Sequence, residues 1–279
     1  MILHTIETGL FKLDGGAMFG VVPKSIWQKT NPADANNMCT WAMRCMLVEE
    51  GNRLILIDTG IGNKQEEKFF SHFYLHGDDT LEKSLAAKGF STSDITDVFL
   101  THLHFDHCGG AVIRKEGQLV PAFKNAVYWS NEKHWDWAVH PNEREKASFL
   151  KENILPLQES GQLKFVSGDQ GLEFTKDFSV RFAFGHTDAM MLPQLRYKDR
   201  TIIYAADLLP STGHIPLPYV MSYDMFPLQT LQEKKAFLEE AATGDYVLYL
   251  EHDPVNECCT VQQTEKGIRL KETFKLTDI

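Results

Sequence analysis

The stretch Thr101-His-Leu-His-Phe-Asp-His-Cys-Gly-Gly110 says more about the fold than any other part of the chain. Within it, four side chains with lone pairs suited to a transition metal fall close together: His102, His104, Asp106 and His107. An apolar segment, Val98-Phe99-Leu100, comes directly before the run and is typical of the end of a buried strand. Two glycines follow. A strand that ends in a ligand-rich loop provides a rigid base for a metal site.

The spacing of the run predicts how its four ligands are divided between two metal ions. Residues two apart in an extended segment point to the same side, so His102 and His104 can reach one ion together. Asp106 follows at the same interval, whereas His107 is adjacent to it and must point elsewhere. The simplest geometry therefore gives His102 and His104 to one ion, and the next two ligands to a second ion nearby. A polar turn without metal would bury these groups without partners, which is costly.

Three more polar residues stand where apolar stretches stop. His186 follows Phe182-Ala-Phe-Gly185, Asp207 follows Thr201–Ala206, and His252 follows the apolar run that begins at Tyr246. Taken singly, each is weak evidence, because a polar residue at a strand end is often a turn or helix cap. Together with the opening run they make five histidines and two aspartates at strand ends, which is enough for two ions.

With these residues in hand, the chain resembles the metallo-β-lactamase-fold hydrolases. The family's H-x-H-x-D-H run and its following glycine match His102 to His107 and Gly109. The family's later His, Asp and His match His186, Asp207 and His252 in order, and its early D-T-G turn matches Asp58-Thr-Gly60. The matching residues span most of the chain, from about Met43 to His252.

The resemblance implies an α/β (α+β) fold, a four-layer αββα sandwich formed by a single domain over residues 1–279. It also implies three roles for the matched residues. One ion is bound by His102, His104 and His186; the other is bound by Asp106, His107 and His252; and Asp207 bridges the two. Asp58 supports the site without binding metal. The carboxylates expected to take part in catalysis are Asp106 and Asp207.

The resemblance further implies a hydrolase with two divalent ions, zinc first and iron, manganese or cobalt as alternatives. A hydroxide that bridges the ions would open a lactone or cleave a neutral ester. The loops Asp14–Gly20 and 207–242 resemble those of quorum-quenching N-acyl homoserine lactonases and methyl parathion hydrolases. A phosphotriesterase is thus the alternative, and an iron-dependent oxidoreductase on the same fold is the third hypothesis. The residues expected at the substrate pocket are Met18, Phe19, Met38 and His214.

The chain departs from that branch in two places. The common G-H-T-P-G-H motif is here Gly185-His-Thr-Asp-Ala-Met190, in which the histidine is kept. The lactonases also place a tyrosine three positions after the bridging aspartate, and this chain has Pro210 there. Tyr219 or Tyr223 is then the candidate donor to the substrate.

The charge and hydrophobicity of the chain limit the classes of partner that it is expected to bind. The formal net charge of −10 disfavours nucleic acid, and no apolar run reaches the length of a membrane span. The first residues do not form a signal peptide, and five cysteines fit reduced thiols. We expect a cytoplasmic protein with a small-molecule substrate and no nucleic-acid or membrane partner; a homodimer is left open.

Three local predictions can be compared directly with the structure. Leu3 to Leu13 alternate as one first strand, and Leu228–Thr243 has the pattern of an amphipathic helix. The closing segment Thr260–Phe274 is polar and is expected to pack on the outside.

Overall fold

The computed structural model describes residues 1–168 and 170–279. The strands are β1 (Ile2–Ile6), β2 (Leu10–Asp14), β3 (Met38–Ala42), β4 (Cys45–Glu50), β5 (Arg53–Ile57), β6 (Asp97–Phe99), β7 (Val112–Lys115), β8 (Gln118–Pro121), β9 (Val127–Asn131), β10 (Leu163–Val166), β11 (Leu172–Thr175), β12 (Phe178–Ala183), β13 (Met190–Tyr197), β14 (Arg200–Tyr204), β15 (Val247–Tyr249), β16 (Cys258–Thr264) and β17 (Gly267–Phe274).

The α-helices are α1 (Gly15–Phe19), α2 (Lys24–Trp27), α3 (Glu67–Ser71), α4 (Leu81–Ala87), α5 (Phe105–Cys108), α6 (Glu132–Val139), α7 (Lys151–Glu159) and α8 (Pro227–Thr243). Short 3-10 turns cover Gly109–Ala111, Ala206–Leu208, Thr212–His214 and Leu276–Asp278. The chain separates into two compact units. The first unit consists of Met1–Gly9 and Met43–Gly168, and the second of Leu10–Ala42 and Asp169–Ile279.

The first unit contains a six-stranded sheet in the order β1-β4-β5-β6-β9-β10. Strands β5, β6, β9 and β10 are parallel, and β1 and β4 continue the sheet antiparallel. Ile55, Leu56 and Ile57 of β5 are fully buried, as expected for a parallel strand covered on both faces. Leu85 of α4 and Ile154 of α7 belong to the same buried core.

Parallel strands place their carboxyl ends at one edge of this sheet. Strand β5 ends at Ile57 and is followed by Asp58-Thr-Gly60, while β6 ends at Phe99 and is followed by the metal-ligand run. The loops beyond the carboxyl ends of such strands are where α/β proteins form their sites. The sheet therefore brings Asp58 and the run of His102 to His107 to the same edge of the first unit.

The second unit contains a seven-stranded sheet in the order β11 to β17, along with the β2-β3 hairpin. Strands β12, β14 and β15 run in one direction, because β13 is antiparallel to both β12 and β14, and β14 is parallel to β15. Their carboxyl ends share one edge. His186, Asp207 and His252 follow these three strands, so the sheet gathers all three residues at that edge.

The local predictions had different outcomes. The amphipathic helix is confirmed as α8, which buries Phe237, Leu238 and Ala241. The single strand over Leu3–Leu13 was wrong: the chain breaks there into β1 and β2, which belong to different units. The closing segment packs on the outside as predicted: Thr260 and Val261 are its buried residues, and those from Gln262 to Phe274 are exposed or half-buried.

No helix in the described part of the chain combines the length and the apolar character needed to cross a bilayer. The prediction of one domain over residues 1–279 stays a prediction.

Candidate metal centre

In the first unit, the run begins with two histidines whose rings face each other. His102 Nε2 lies 3.0 Å from His104 Nδ1, and both side chains are buried. Two ring nitrogens at this distance need either a proton or a cation between them, because neutral nitrogens with inward lone pairs repel each other. The structure thus brings His102 and His104 together, as the extended spacing predicts.

The next two ligands sit on a different backbone from the predicted one. Asp106 and His107 lie in the short helix α5, and His104 is the residue directly before it. His107 Nε2 lies 3.8 Å from Asp106 Oδ2. The extended interval that the sequence suggested for Asp106 is therefore wrong, although the helical turn still keeps Asp106 and His107 close together.

Asp58, at the edge of the sheet, contacts the run at both Thr101 and His107. Its carboxylate is fully buried and accepts hydrogen bonds from Thr101 N at 2.8 Å and Thr101 Oγ1 at 2.6 Å. Its Oδ2 atom also lies 3.2 Å from His107 Nδ1. The backbone of Asp58 is left-handed, with φ of 56°, a conformation that aspartate tolerates better than most residues. Asp58 thus orients His107 and fixes the start of the run.

Two further side chains that sequence reasoning missed hold this loop. Glu145 Oε1 lies 2.9 Å from His104 Nε2, and its Oε2 accepts a hydrogen bond from Trp137 Nε1 at 2.6 Å. His134, which is fully buried, accepts a hydrogen bond from Leu103 N at 2.9 Å. Glu145 stands among other charged residues, so nothing in the sequence distinguishes it; only its burial does.

The two glycines after the run allow the chain to pass close to Thr59–Ile61, the segment that follows strand β5. A Cβ on Gly109 would lie 2.1 Å from Ile61 O, and one on Gly110 would lie 2.3 Å from Thr59 O. Gly110 N donates to Gly60 O at 2.9 Å. No side chain fits at either position, which explains why glycine follows the ligands.

In the second unit, a single carboxylate faces two imidazoles. Asp207 Oδ2 lies 2.9 Å from His186 Nε2, and Asp207 Oδ1 lies 3.0 Å from His252 Nε2. All three side chains are buried. The opposite ring nitrogens are held from behind: His186 Nδ1 lies 2.8 Å from Asp224 Oδ1, and His252 Nδ1 lies 2.8 Å from Ala42 O. Asp224 was not foreseen, since no sequence pattern surrounds it.

The charges around His186 favour a cation. Burial alone would lower the pKa of this imidazole, but the Asp207 and Asp224 carboxylates outweigh burial and raise the pKa to about 10. Two buried carboxylates beside one ring stabilise positive charge there. A positively charged metal ion satisfies the same electrostatic demand.

The five predicted histidine ligands share one arrangement. One ring nitrogen is held by a neighbouring oxygen, from Thr101, Glu145, Asp58, Asp224 and Ala42 for His102, His104, His107, His186 and His252 respectively. The other ring nitrogen faces a predicted ligand of the same unit. Histidines that bind metal are typically oriented in this way by a second partner. The buried donor set of imidazoles and carboxylates therefore fits divalent transition metals.

The predicted pocket residues lie in the second unit. Met18 and Phe19 are buried, and the Phe19 ring stacks on His214 at 4.4 Å. Burial lowers the pKa of His214 to about 3, and its nitrogens contact Ser211 Oγ at 2.8 Å and Met18 O at 2.9 Å. Met38 is half-buried in β3. A role in substrate binding stays a prediction for all four residues.

Comparisons with known proteins agree with this arrangement. A solved structure described as a probable metal-dependent hydrolase from Staphylococcus aureus is 26% identical, with a TM-score of 0.87 and coverage of 98% of both chains. AidC, a dizinc quorum-quenching lactonase solved with a product, shares the fold with a TM-score of 0.79 at 24% identity, over 98% of this chain and 94% of its own.

Among curated proteins, the N-acyl homoserine lactonase AiiA of Bacillus thuringiensis subsp. kurstaki is 27% identical over 173 residues. The match covers 58% of this chain and 60% of AiiA, so the chain spans less than two thirds of that relative's length. The sequence profile of the metallo-beta-lactamase superfamily matches residues 44–252, which is most of the chain. The predicted fold is therefore confirmed, and the chain belongs to the metallo-beta-lactamase superfamily.

Proposed function

We propose that this protein is a metal-dependent hydrolase that uses two divalent ions to open a lactone or to cleave a neutral carboxylic ester. The observation that carries the proposal is the orientation of the five histidines, each held at one ring nitrogen and turned toward another ligand with the other. The similarity to AiiA, described as an N-acyl homoserine lactonase, supports the substrate class.

The proposed ligand sets follow the superfamily pattern. His102, His104 and His186 would hold one ion, Asp106, His107 and His252 would hold the other, and Asp207 would contribute to both. The two oxygens of Asp207 support the bridging role, because Oδ2 faces His186 and Oδ1 faces His252. These two histidines are assigned to different ions, so each carboxylate oxygen lies beside a ligand of a different ion.

When bound, two such ions act as Lewis acids and lower the pKa of a water molecule towards neutrality. The residues of the chain prepare the site for this chemistry. Glu145, Asp58 and Asp224 each hold the outer nitrogen of a histidine, which leaves the lone pair of the other nitrogen directed inward. We propose zinc as the native metal, because nitrogen-rich sites with carboxylates suit it.

Asp106 and Asp207 are the carboxylates among the proposed ligands. Their position beside the reacting groups would let them balance the positive charge of the ions and orient the attacking water. Both are buried, with 8% and 7% of their surface exposed.

The experiment compares substrates on one zinc-loaded preparation. N-acyl homoserine lactones, longer-ring lactones, aryl esters and a phosphotriester are assayed for kcat/KM, with His107→Ala as the inactive reference. We expect a lactone or an aryl ester to be the fastest substrate by at least about tenfold, a difference of about 1.4 kcal/mol in the barrier. A phosphotriester as the fastest substrate would support the phosphotriesterase alternative, and dioxygen consumption by an iron-loaded protein would support the oxidoreductase.

A further inference from the structure

Lys234 is a buried cation in the second unit that the proposed chemistry does not use. Its side chain is 1% exposed, and Nζ donates to three backbone carbonyls: His214 O at 3.0 Å, Pro216 O at 3.3 Å and Tyr219 O at 2.7 Å. All three belong to the segment that leads from Asp207 to Asp224. A buried ammonium is costly unless its protons are paired, so this residue fastens that segment to helix α8.

A small cavity lies next to Lys234. It has room for about one water molecule, and its lining includes Lys234, Tyr219, Asp207 and Asp224. Among the described residues, Asp224 Oδ2 has no hydrogen-bond partner although the residue is 1% exposed. The other oxygen of Asp224 holds His186 Nδ1. The cavity therefore has a buried ammonium in its wall together with the carboxylate that orients a proposed metal ligand.

Lys234 is connected to the residue that orients His186 through its hydrogen bonds. The three carbonyls that it contacts lie five to ten residues before Asp224, so these hydrogen bonds position the segment that carries this carboxylate. Burial lowers the pKa of Lys234 to about 7, and the Asp224 carboxylate is the charge that counteracts the lowering.

The same turn of helix α8 also supports the backbone before His186. Glu233, next to Lys234, accepts hydrogen bonds from Phe184 N at 3.0 Å and Gly185 N at 3.0 Å. A Cβ on Gly185 would lie 2.3 Å from Thr230 N, so the helix packs directly against this turn. Helix α8 thus supports the backbone before His186 through Glu233, while Lys234 of the same helix holds the segment whose Asp224 contacts the His186 ring.

We propose that Lys234 is a positioning residue of the metal centre, which holds the segment that carries Asp224 and thereby keeps this carboxylate in place against His186. The proposal rests on the proposed function, since it assumes that His186 binds metal. Lys234 would then affect metal affinity indirectly, through Asp224.

The test measures zinc affinity by competition with a chromophoric chelator at pH 7.5 on the full chain. Lys234→Met keeps the length of the side chain and removes its three hydrogen bonds together with its charge. Lys235→Met, an exposed neighbour on the same helix, is the matched control. We expect Lys234→Met to weaken zinc binding at one site by about tenfold or more, the usual effect of losing an orienting partner, while Lys235→Met binds as the wild type does.

A double-mutant cycle separates positioning from a general loss of stability. Asp224→Asn should weaken the same site, and Lys234→Met added to it should weaken it no further, because the lysine acts through that carboxylate. Equal zinc affinity in Lys234→Met and wild type, or losses that add in the double variant, would overturn the proposal. If Lys234→Met does not fold, Lys234→Gln, which offers two donor hydrogens instead of three on a shorter side chain, replaces it in the same cycle. A wild-type chain that binds no zinc would instead refute the proposed function.

Discussion

Asp58 is the residue whose replacement reports most clearly on the supporting contacts of the centre. Asp58→Asn keeps the size of the side chain but removes the charge that faces His107 Nδ1 and the Thr101 hydroxyl. We expect zinc affinity to fall by about 10- to 100-fold and the free energy of unfolding to fall by about 1–3 kcal/mol. Chelator competition and urea denaturation measure the two effects. The exposed Asp78→Asn should change neither, and a fully active, fully loaded Asp58→Asn would contradict this role.

The replacement of Glu145 leads to a comparable prediction, for a residue that the sequence did not distinguish. Glu145→Gln can still contact Trp137 but loses the carboxylate that holds His104 Nε2. We expect about tenfold weaker zinc binding at one site with little change in overall stability. Trp137→Phe removes only the other hydrogen bond and serves as the control. Loss of zinc in Trp137→Phe but not in Glu145→Gln would show that packing, not charge, orients His104.

Some polar residues of the site could be predicted from the sequence, and others could not. His186, Asp207 and His252 could be predicted because each stands alone at the end of an apolar stretch. Glu145 lies in a polar segment, where an acidic residue is expected at the surface, and Asp224 follows the mixed segment Met221-Ser-Tyr, which does not have the pattern of a strand. Their burial depends on tertiary packing, and no local pattern carries that information.

Among the elements of the first sheet, the Asp97 carboxylate connects three strands. Asp97 begins β6, and the ligand run follows the opposite end of the same strand. Asp97 of β6 accepts two hydrogen bonds from Arg53 of β5, at 2.6 and 3.0 Å, and one from Trp129 of β9 at 2.8 Å. Burial would raise the pKa of Asp97, but these donors outweigh it and hold the pKa below its usual range. The folded state therefore favours the ionised form.

This depressed pKa predicts a pH-dependent contribution to stability. The contribution is fully present above the ordinary aspartate pKa of about 3.9 and is lost as pH falls through the folded pKa. Asp97→Asn should lower the free energy of unfolding by roughly 2 kcal/mol at pH 7, and its difference from wild type should shrink below about pH 4. Urea unfolding of both proteins in chelator, from pH 7 to 3, measures this. A difference that stays constant to pH 3 would be inconsistent with it.

The elements that could be predicted were those with a clear apolar pattern. Helix α8 stands out because apolar residues recur with the helical period along it, and β6 because its apolar residues are consecutive. Alternation alone does not show which sheet a strand joins, so the boundary between β1 and β2 was missed. The four residues of α5 are too few to show a helical period, and therefore Asp106 was assigned an extended backbone that it does not have.

For the whole molecule, bound metal should contribute to folding stability. Ions that bind only the native state stabilise it by about 4 kcal/mol per site at a thousandfold excess over Kd. We expect removal of metal by a strong chelator to lower Tm by about 10 °C or more, and zinc to restore it. Calorimetry with and without chelator tests this. An unchanged Tm would mean that the buried histidines are satisfied without metal.

The proposed metal centre holds two ions with seven ligands. The direct measure of this is the metal content of the full chain after zinc loading and gel filtration at pH 7.5, obtained by elemental analysis against protein concentration. His107→Ala, which removes a ligand of the proposed second ion, is measured beside it. We expect two zinc ions per chain in the wild type and one in the variant. One ion or none in the correctly folded wild type would contradict it.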